Sequence, residues 1–219
     1  MKGPPQVNVT VLRVFCAEDG SEGNQLGVVL DGPTVAEDAR QGLAAHLGYS
    51  ETVFVDDAAD ARIRIFTPEV ELPFAGHPCV GTAWLLRREG HDVDALRSPA
   101  GKIPVRFEGD LTYIAGRPEW APPFELRQLE DAAAVDAHPV IADEVYIWAW
   151  IDEGAGTVRA RAFVPEAGIS EDEATGSAAV KLSGMLEREI EIHQGRGSIL
   201  NARPIGDGLV EVGGRVVPD

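Results

Sequence analysis

The sequence predicts an α+β protein of two pseudo-repeated halves facing a cleft, and three observations predict it. Arg62-Ile63-Arg64-Ile65-Phe66-Thr67-Pro68-Glu69 alternates with the period of a half-buried strand and turns at its Pro. Ninety-seven positions later, Arg159-Ala160-Arg161-Ala162-Phe163-Val164-Pro165-Glu166 repeats Arg, Arg, Phe, Pro and Glu in register, five of eight positions. Each octet is followed by a glycine at the head of a helix-like run, Gly76 before His77-Pro78 and Gly176 before Ser177. Two copies of one strand–turn–helix plan imply a duplicated unit with both helix starts turned toward one cleft.

A chain of 219 residues accommodates one large domain or two small ones at ~100–200 residues each. Such a chain buries roughly 70% of its unfolded surface, so its core needs no disulfide or metal staple. The division is placed at 1–110 and 111–219, where the composition turns to Pro and acidic residues. Cys16 and Cys79 are expected as reduced thiols rather than a bridge. The formal charge of −17 repels phosphate backbones and anionic lipids, which argues against nucleic-acid and membrane partners. No run reaches the eighteen or so apolar residues of a membrane span, and Met1-Lys2-Gly3-Pro4-Pro5 leads straight toward a strand. A cytoplasmic location is therefore expected.

Residues 7–14 alternate as a first strand, and residues 25–30 read as a second. Thr34-Val35-Ala36-Glu37 has the form of a capping box, opening a helix that turns Leu43, Ala44 and Leu47 inward and stops at Gly48. Glu51 then heads a β-branched and aromatic strand. Residues 78–88, with Val80, Trp84 and Leu85 at helical spacing, read as a helix closed by Gly90. Between 91 and 143, strands are expected at 103–107 and 111–115 and a short helix at 126–134. Residues 144–151 form a Trp- and Tyr-rich strand, 177–190 the long helix of the second half, and 198–202 and 210–217 the closing strands.

Familiar machinery is missing from this list. The five His are scattered without zinc spacing, and there is no phosphate-cradling Gly-rich loop, dinucleotide fingerprint or nucleophile elbow. What remains is a carboxylate at Glu51, a helix-start His77, and the group Asp172, Thr175, Gly176 and Ser177. That set suits proton transfer beside a carboxylate, with helix N-terminal amides holding the anion.

Ser50-Glu51-Thr52-Val53-Phe54, Phe74-Ala75-Gly76-His77-Pro78 and residues 171–179 resemble the PhzF-like isomerase family of phenazine biosynthesis. Gly23-Asn24-Gln25-Leu26-Gly27 is similar to that family's Gly-Asn-Pro loop, and Gln194-Gly195-Arg196-Gly197-Ser198 to its closing segment. The resemblance implies a diaminopimelate-epimerase-like fold, each half a curled, mostly antiparallel, barrel-like sheet around a central helix, with the active site between them. It implies an isomerase without cofactor or metal, acting on a small unsaturated or cyclic carboxylate, and a homodimer. In that reading Glu51 shuttles the proton, His77 and Asp172 assist catalysis, and Asn24, Gly76, Thr175, Gly176 and Ser177 hold the substrate. Two alternatives stay open: a ligand-binding or interaction protein retaining the fold, and an epimerase using carboxylates instead of a thiol pair. The chain is shorter than the family between His77 and Asp172, and it carries Glu173 where relatives usually have Pro. Cys79 reads as a small buried residue, since the second half offers no cysteine to complete a thiol pair.

Overall fold

The computed structural model of the protein describes residues 7–123 and 125–219; the stretch Met1-Lys2-Gly3-Pro4-Pro5 lies outside them. One order of elements occurs twice. The first copy runs β1 (Thr10–Cys16), β2 (Asn24–Val29), α1 (Glu37–Leu47), β3 (Glu51–Asp57), β4 (Arg62–Phe66), β5 (Glu71–Leu72), α2 (Gly76–Arg88), β6 (Ala95–Ser98) and β7 (Gly101–Glu108). The second runs β8 (Leu111–Gly116), β9 (Glu125–Gln128), α3 (Ala132–Ala137), β10 (Val145–Asp152), β11 (Thr157–Val164), β12 (Ile169–Asp172), α4 (Gly176–Leu186), β13 (Ile190–Gln194) and β14 (Ser198–Gly206). A last strand, β15 (Leu209–Pro218), follows.

Strands β1, β2, β3, β4, β6, β7, β8 and β15 form a closed eight-strand barrel, sealed by the antiparallel β1–β15 pair. From β15 the same sheet continues through β14, β13, β11 and β10 to β9. The pairs spanned by a helix are parallel (β2–β3, β4–β6, β9–β10 and β11–β13), as crossover connections require. In the second half β8 and β9 do not pair, and the segment between them carries Pro118, Pro122 and Pro123, which have no N–H to offer a ladder.

Helices α2 and α4 are apolar nearly all round because each is enclosed by sheet. Val80, Ala83 and Leu86 of α2 and Ala179, Val180 and Leu182 of α4 belong to one continuous core with strand residues such as Leu12, Ile65, Tyr146 and Ile192. The duplication reaches side chains. Arg64 pairs bidentately with Glu71 at 2.5 and 2.6 Å, and Arg161 with Glu171 at 2.7 and 2.8 Å. Each guanidinium also lies over the octet's own aromatic ring, Phe66 or Phe163. Both octets therefore use Arg and Phe to pin a strand to the short strand that leads into the buried helix.

Several local expectations are corrected. The capping box does not form: Thr34 Oγ1 donates to the Asp31 carbonyl inside a 3-10 turn, and Ala36 caps α1 without a side-chain bond. Pro33 makes that turn, which uses the hydroxyl before the helix starts. The helix expected at 126–134 is strand β9 followed by α3, whose N-cap Asp131 accepts from the Ala134 amide at 2.8 Å. Helix α4 ends at Leu186, where Glu187 turns left-handed (φ 53°), and residues 190–194 form a strand instead. Gly48 stops α1 in the left-handed conformation (φ 71°), as its sequence position required.

Candidate active site

The two buried helices meet head to head. A Cβ built on Gly76 would lie 2.6 Å from the Gly176 backbone, and one on Gly176 would lie 2.8 Å from the Gly76 Cα. Only two glycines permit this approach. Neither helix start carries a side-chain cap, so first-turn amides of both are available to a ligand. Pro78 sits in the first turn of α2, where its missing N–H breaks no helical bond.

Glu51 opens β3, which runs parallel beside β2 and is buried along most of its length. Its side chain is 10% exposed, and Oε2 lies 3.1 Å from His77 Nδ1 on α2. The approach is not aligned as a hydrogen bond, and Oε2 is buried without a donor. Burial, and then the nearby charge of Asp172, push the Glu51 carboxyl well above the ordinary range. Burial lowers His77 to about 3 against the weak opposing influence of the Gln25 backbone carbonyl, so the imidazole is neutral. Both groups resist charge, and the contact between them is not an ion pair.

Asp172, at the end of β12, is built in the opposite manner. Its Oδ1 accepts from Asn24 Nδ2 at 2.6 Å, and its Oδ2 accepts from the Thr175 hydroxyl at 2.6 Å. Burial raises it to about 6, with Thr175 and Asn24 holding it down and the charge of Glu173 adding to the rise. Gln194, wholly buried on β13, ties this corner together. Its Nε2 donates to the Asp172 carbonyl at 3.0 Å and to Thr175 Oγ1 at 2.9 Å, while its Oε1 accepts from the Thr175 amide and the Tyr146 hydroxyl, both at 3.1 Å.

A cleft of about 360 Å³ opens between the halves, lined by Glu51, Asp172, Thr175 and Ser177 together with Ala75, Leu72, Val164 and Ile169. Its walls also carry Glu144 and Glu166 and, among the described residues, no Lys or Arg. Of the residues expected at the site, these first four face the cleft. His77 stands behind Glu51, and Asn24 behind Asp172, where it also donates to the Ala174 carbonyl and accepts from Ser50. Gly76 and Gly176 face each other. Cys79 lies in the core, where burial holds its thiol at about 12. Glu173 clamps the closing segment, accepting from the Arg196 amide and the Ser198 hydroxyl at 2.9 Å each.

Two residues escaped the sequence. Gln194 showed only as part of a motif. Glu144 is the second-half counterpart of Glu51: Thr52 pairs with Phe66 and Val145 with Phe163, so each carboxylate stands one residue before an equivalent position. Hairpins of different length shifted that echo out of the octet spacing. Aligned at Phe66 and Phe163, the sequence places Trp148 opposite Glu51, and only the strand register brings Glu144 to that position.

A model of the phenazine biosynthesis-like protein family matches residues 12–143. The chain belongs to this family. It is 32% identical to the trans-2,3-dihydro-3-hydroxyanthranilate isomerase of Pseudomonas aeruginosa, with 93% of this chain and 94% of the relative covered. To the isomerase of the same name from Pseudomonas chlororaphis it is 33% identical, over 84% and 86% of the two chains. A PhzF-family protein of Enterococcus faecalis has a similar structure, with a TM-score of 0.73 at 22% identity over 96% and 95% of the chains. The fold extends to a hydroxyproline epimerase of Agrobacterium vitis, with a TM-score of 0.57 at 12% identity over 96% and 88%. This PhzF-like chain is thus an isomerase of its family on the racemase and epimerase fold. No helix among its described residues is long and apolar enough to cross a membrane.

Proposed function

We propose that this PhzF-like protein moves a proton, and with it a double bond, in a small unsaturated or cyclic carboxylate, with Glu51 as the acid/base. The observation that carries the reading is Glu51 itself: a carboxylate in the cleft wall, nearly buried, with no donor on Oε2 and a raised pKa. A carboxylate serves proton transfer best when its pKa is lifted toward the working pH. Uncapped helix starts at Gly76 and Gly176 supply amides for the substrate carboxylate, which finds no cationic side chain in the cleft lining among the described residues. His77 and Asp172 assist the transfer, and Asn24, Thr175 and Ser177 shape the pocket. The same reading takes the protein as a cytoplasmic homodimer that needs no cofactor or metal and binds no nucleic acid.

The test is proton NMR in deuterated water against pools of small unsaturated and cyclic carboxylates, wild type beside Glu51→Gln. Wild-type deuterium incorporation that falls at least about a hundredfold in the variant is the expected result. Undiminished turnover of a genuine substrate by the variant would overturn the assignment. A second reading, an epimerase working with two carboxylates, is favoured by one observation: Glu144 repeats Glu51 in the other half and lines the same cleft. Deuterium appearing at a stereocentre without movement of a double bond distinguishes it.

A further inference from the structure

We propose that the resting protein holds Asp172 ionised and Glu51 protonated, with Gln194 the positioning residue that enforces this division. The argument rests on which atoms are obliged to donate. Gln194 Oε1 faces the Thr175 amide, which can only donate, and Nε2 faces the Asp172 carbonyl, which can only accept. The amide therefore has one permissible orientation. Its Nε2 also donates to Thr175 Oγ1, whose other partner is Asp172 Oδ2, so the Thr175 hydrogen points at that oxygen. On the other side Asn24 is oriented by its donation to the Ala174 carbonyl, which turns Nδ2 toward Asp172 Oδ1. Both Asp172 oxygens are held as acceptors by groups whose polarity the backbone sets. A proton on either would leave the donor facing it without an acceptor.

Glu51 has no such support. The groups that face it are neutral His77 and the Cys79 thiol on α2 and the carboxylate of Asp172 on β12; those that face Asp172 are Glu51, Glu173 and Tyr146. Two neighbouring buried carboxylates share the burden of one proton, and it rests on the one without donors. Burial lifts both groups, but at Asp172 the hydrogen bonds from Thr175 and Asn24 oppose the rise, whereas at Glu51 burial and like charge act without such opposition.

This deepens the reading that Glu51 shuttles the proton, and it rests on that reading for its consequence: Glu51 gives before it takes. Its O–H proton forms the new C–H bond using the electron pair of the old C=C. The carboxylate so produced then removes a proton from the other carbon, and the pair of that broken C–H becomes the new C=C. The ionised Asp172 faces the positive charge that develops between the two steps.

The experiment reads carboxyl groups in the resting protein, without substrate, so that it stands or falls apart from any isomerase assay. Protein labelled with ¹³C at Asp and Glu carboxyls is titrated by NMR. At neutral pH a protonated carboxyl signal is expected that vanishes in Glu51→Gln. In Gln194→Leu the Asp172 midpoint rises by about one unit. Thr175→Val produces a similar rise, and Thr175→Ser, which keeps the hydroxyl, restores the wild-type midpoint even if the Gln194 variant fails to fold. An ionised Glu51 at neutral pH, or an Asp172 midpoint the same in Thr175→Val as in Thr175→Ser, would overturn the proposal.

Discussion

Glu51 loses its water on folding and gains no hydrogen-bond donor on Oε2 in return. Its folded pKa is raised above the ordinary 4.5, so the folded state binds the proton more tightly than the unfolded chain does. The unfolded state therefore ionises first. Stability is fully present below about pH 4.5 and is lost as pH rises through the interval up to the folded pKa, beyond which it levels off. Each unit of that interval costs about 1.4 kcal/mol. Glu51→Gln removes the titration while keeping the shape. The variant is expected to unfold at a higher temperature than wild type at pH 7 and at nearly the same temperature at pH 4, with activity lost throughout. A Tm difference that does not change across this range would show that Glu51 titrates as an ordinary surface acid. Such a gain in stability at the expense of activity marks a site held against folding preferences.

At the scale of elements, the head-to-head contact of α2 and α4 decides whether a cleft with two helix starts exists. The atoms that would meet a Cβ on Gly76 are the Gly176 backbone and the Ser177 amide, none of which can swing away. Gly76→Ala is therefore expected to destabilise the fold by at least ~1–3 kcal/mol and to abolish turnover by parting the helices. Gly42 in α1 has nothing within 4 Å of its Cβ position, so Gly42→Ala is the matched control. It should gain ~0.5–1 kcal/mol from helix propensity and leave activity unchanged. Urea unfolding of both variants beside a turnover assay checks the pair, and a harmless Gly76→Ala would refute the close approach. These glycines and the octets were legible because covalent spacing alone signals them: period two, a Pro turn, a Gly before a helix. Thr34 misled because a hydroxyl can satisfy a helix amide or a preceding turn, and Pro33 decided for the turn. Residues 126–134 misled because Leu126 and Leu129 stand at helical spacing ahead of Ala132-Ala133-Ala134, whereas Asp131 caps a helix that begins only at Ala132 and residues 125–128 pair as a strand. Gln194 was invisible as chemistry, since its partners Tyr146, Asp172 and Thr175 come together only through the sheet.

For the whole molecule, β15 is the strand that joins the halves. It seals the barrel by pairing with β1 and β8 and at the same time starts the second half's sheet by pairing with β14. The division proposed at 110/111, from the shift to Pro and acids, falls between β7 and β8, which pair with each other across it, as β1 does with β15. A fragment 1–110 lacks two of the eight barrel strands, and β1 and β7 become open edges beside an apolar helix. The core likewise runs unbroken from Leu12 and Leu26 to Ile192 and Leu200. The halves are thus expected to unfold together. Calorimetry of the full chain should show one transition whose calorimetric and van't Hoff enthalpies agree. Neither 1–110 nor 111–219 expressed alone should show a cooperative transition, whereas a truncation that ends at Gly208 should lose near-UV dichroism from aromatics in both halves. Two separate transitions in the intact protein, or a fragment 1–110 that unfolds cooperatively, would mean that each copy folds by itself and that the cleft between them is free to open as a hinge.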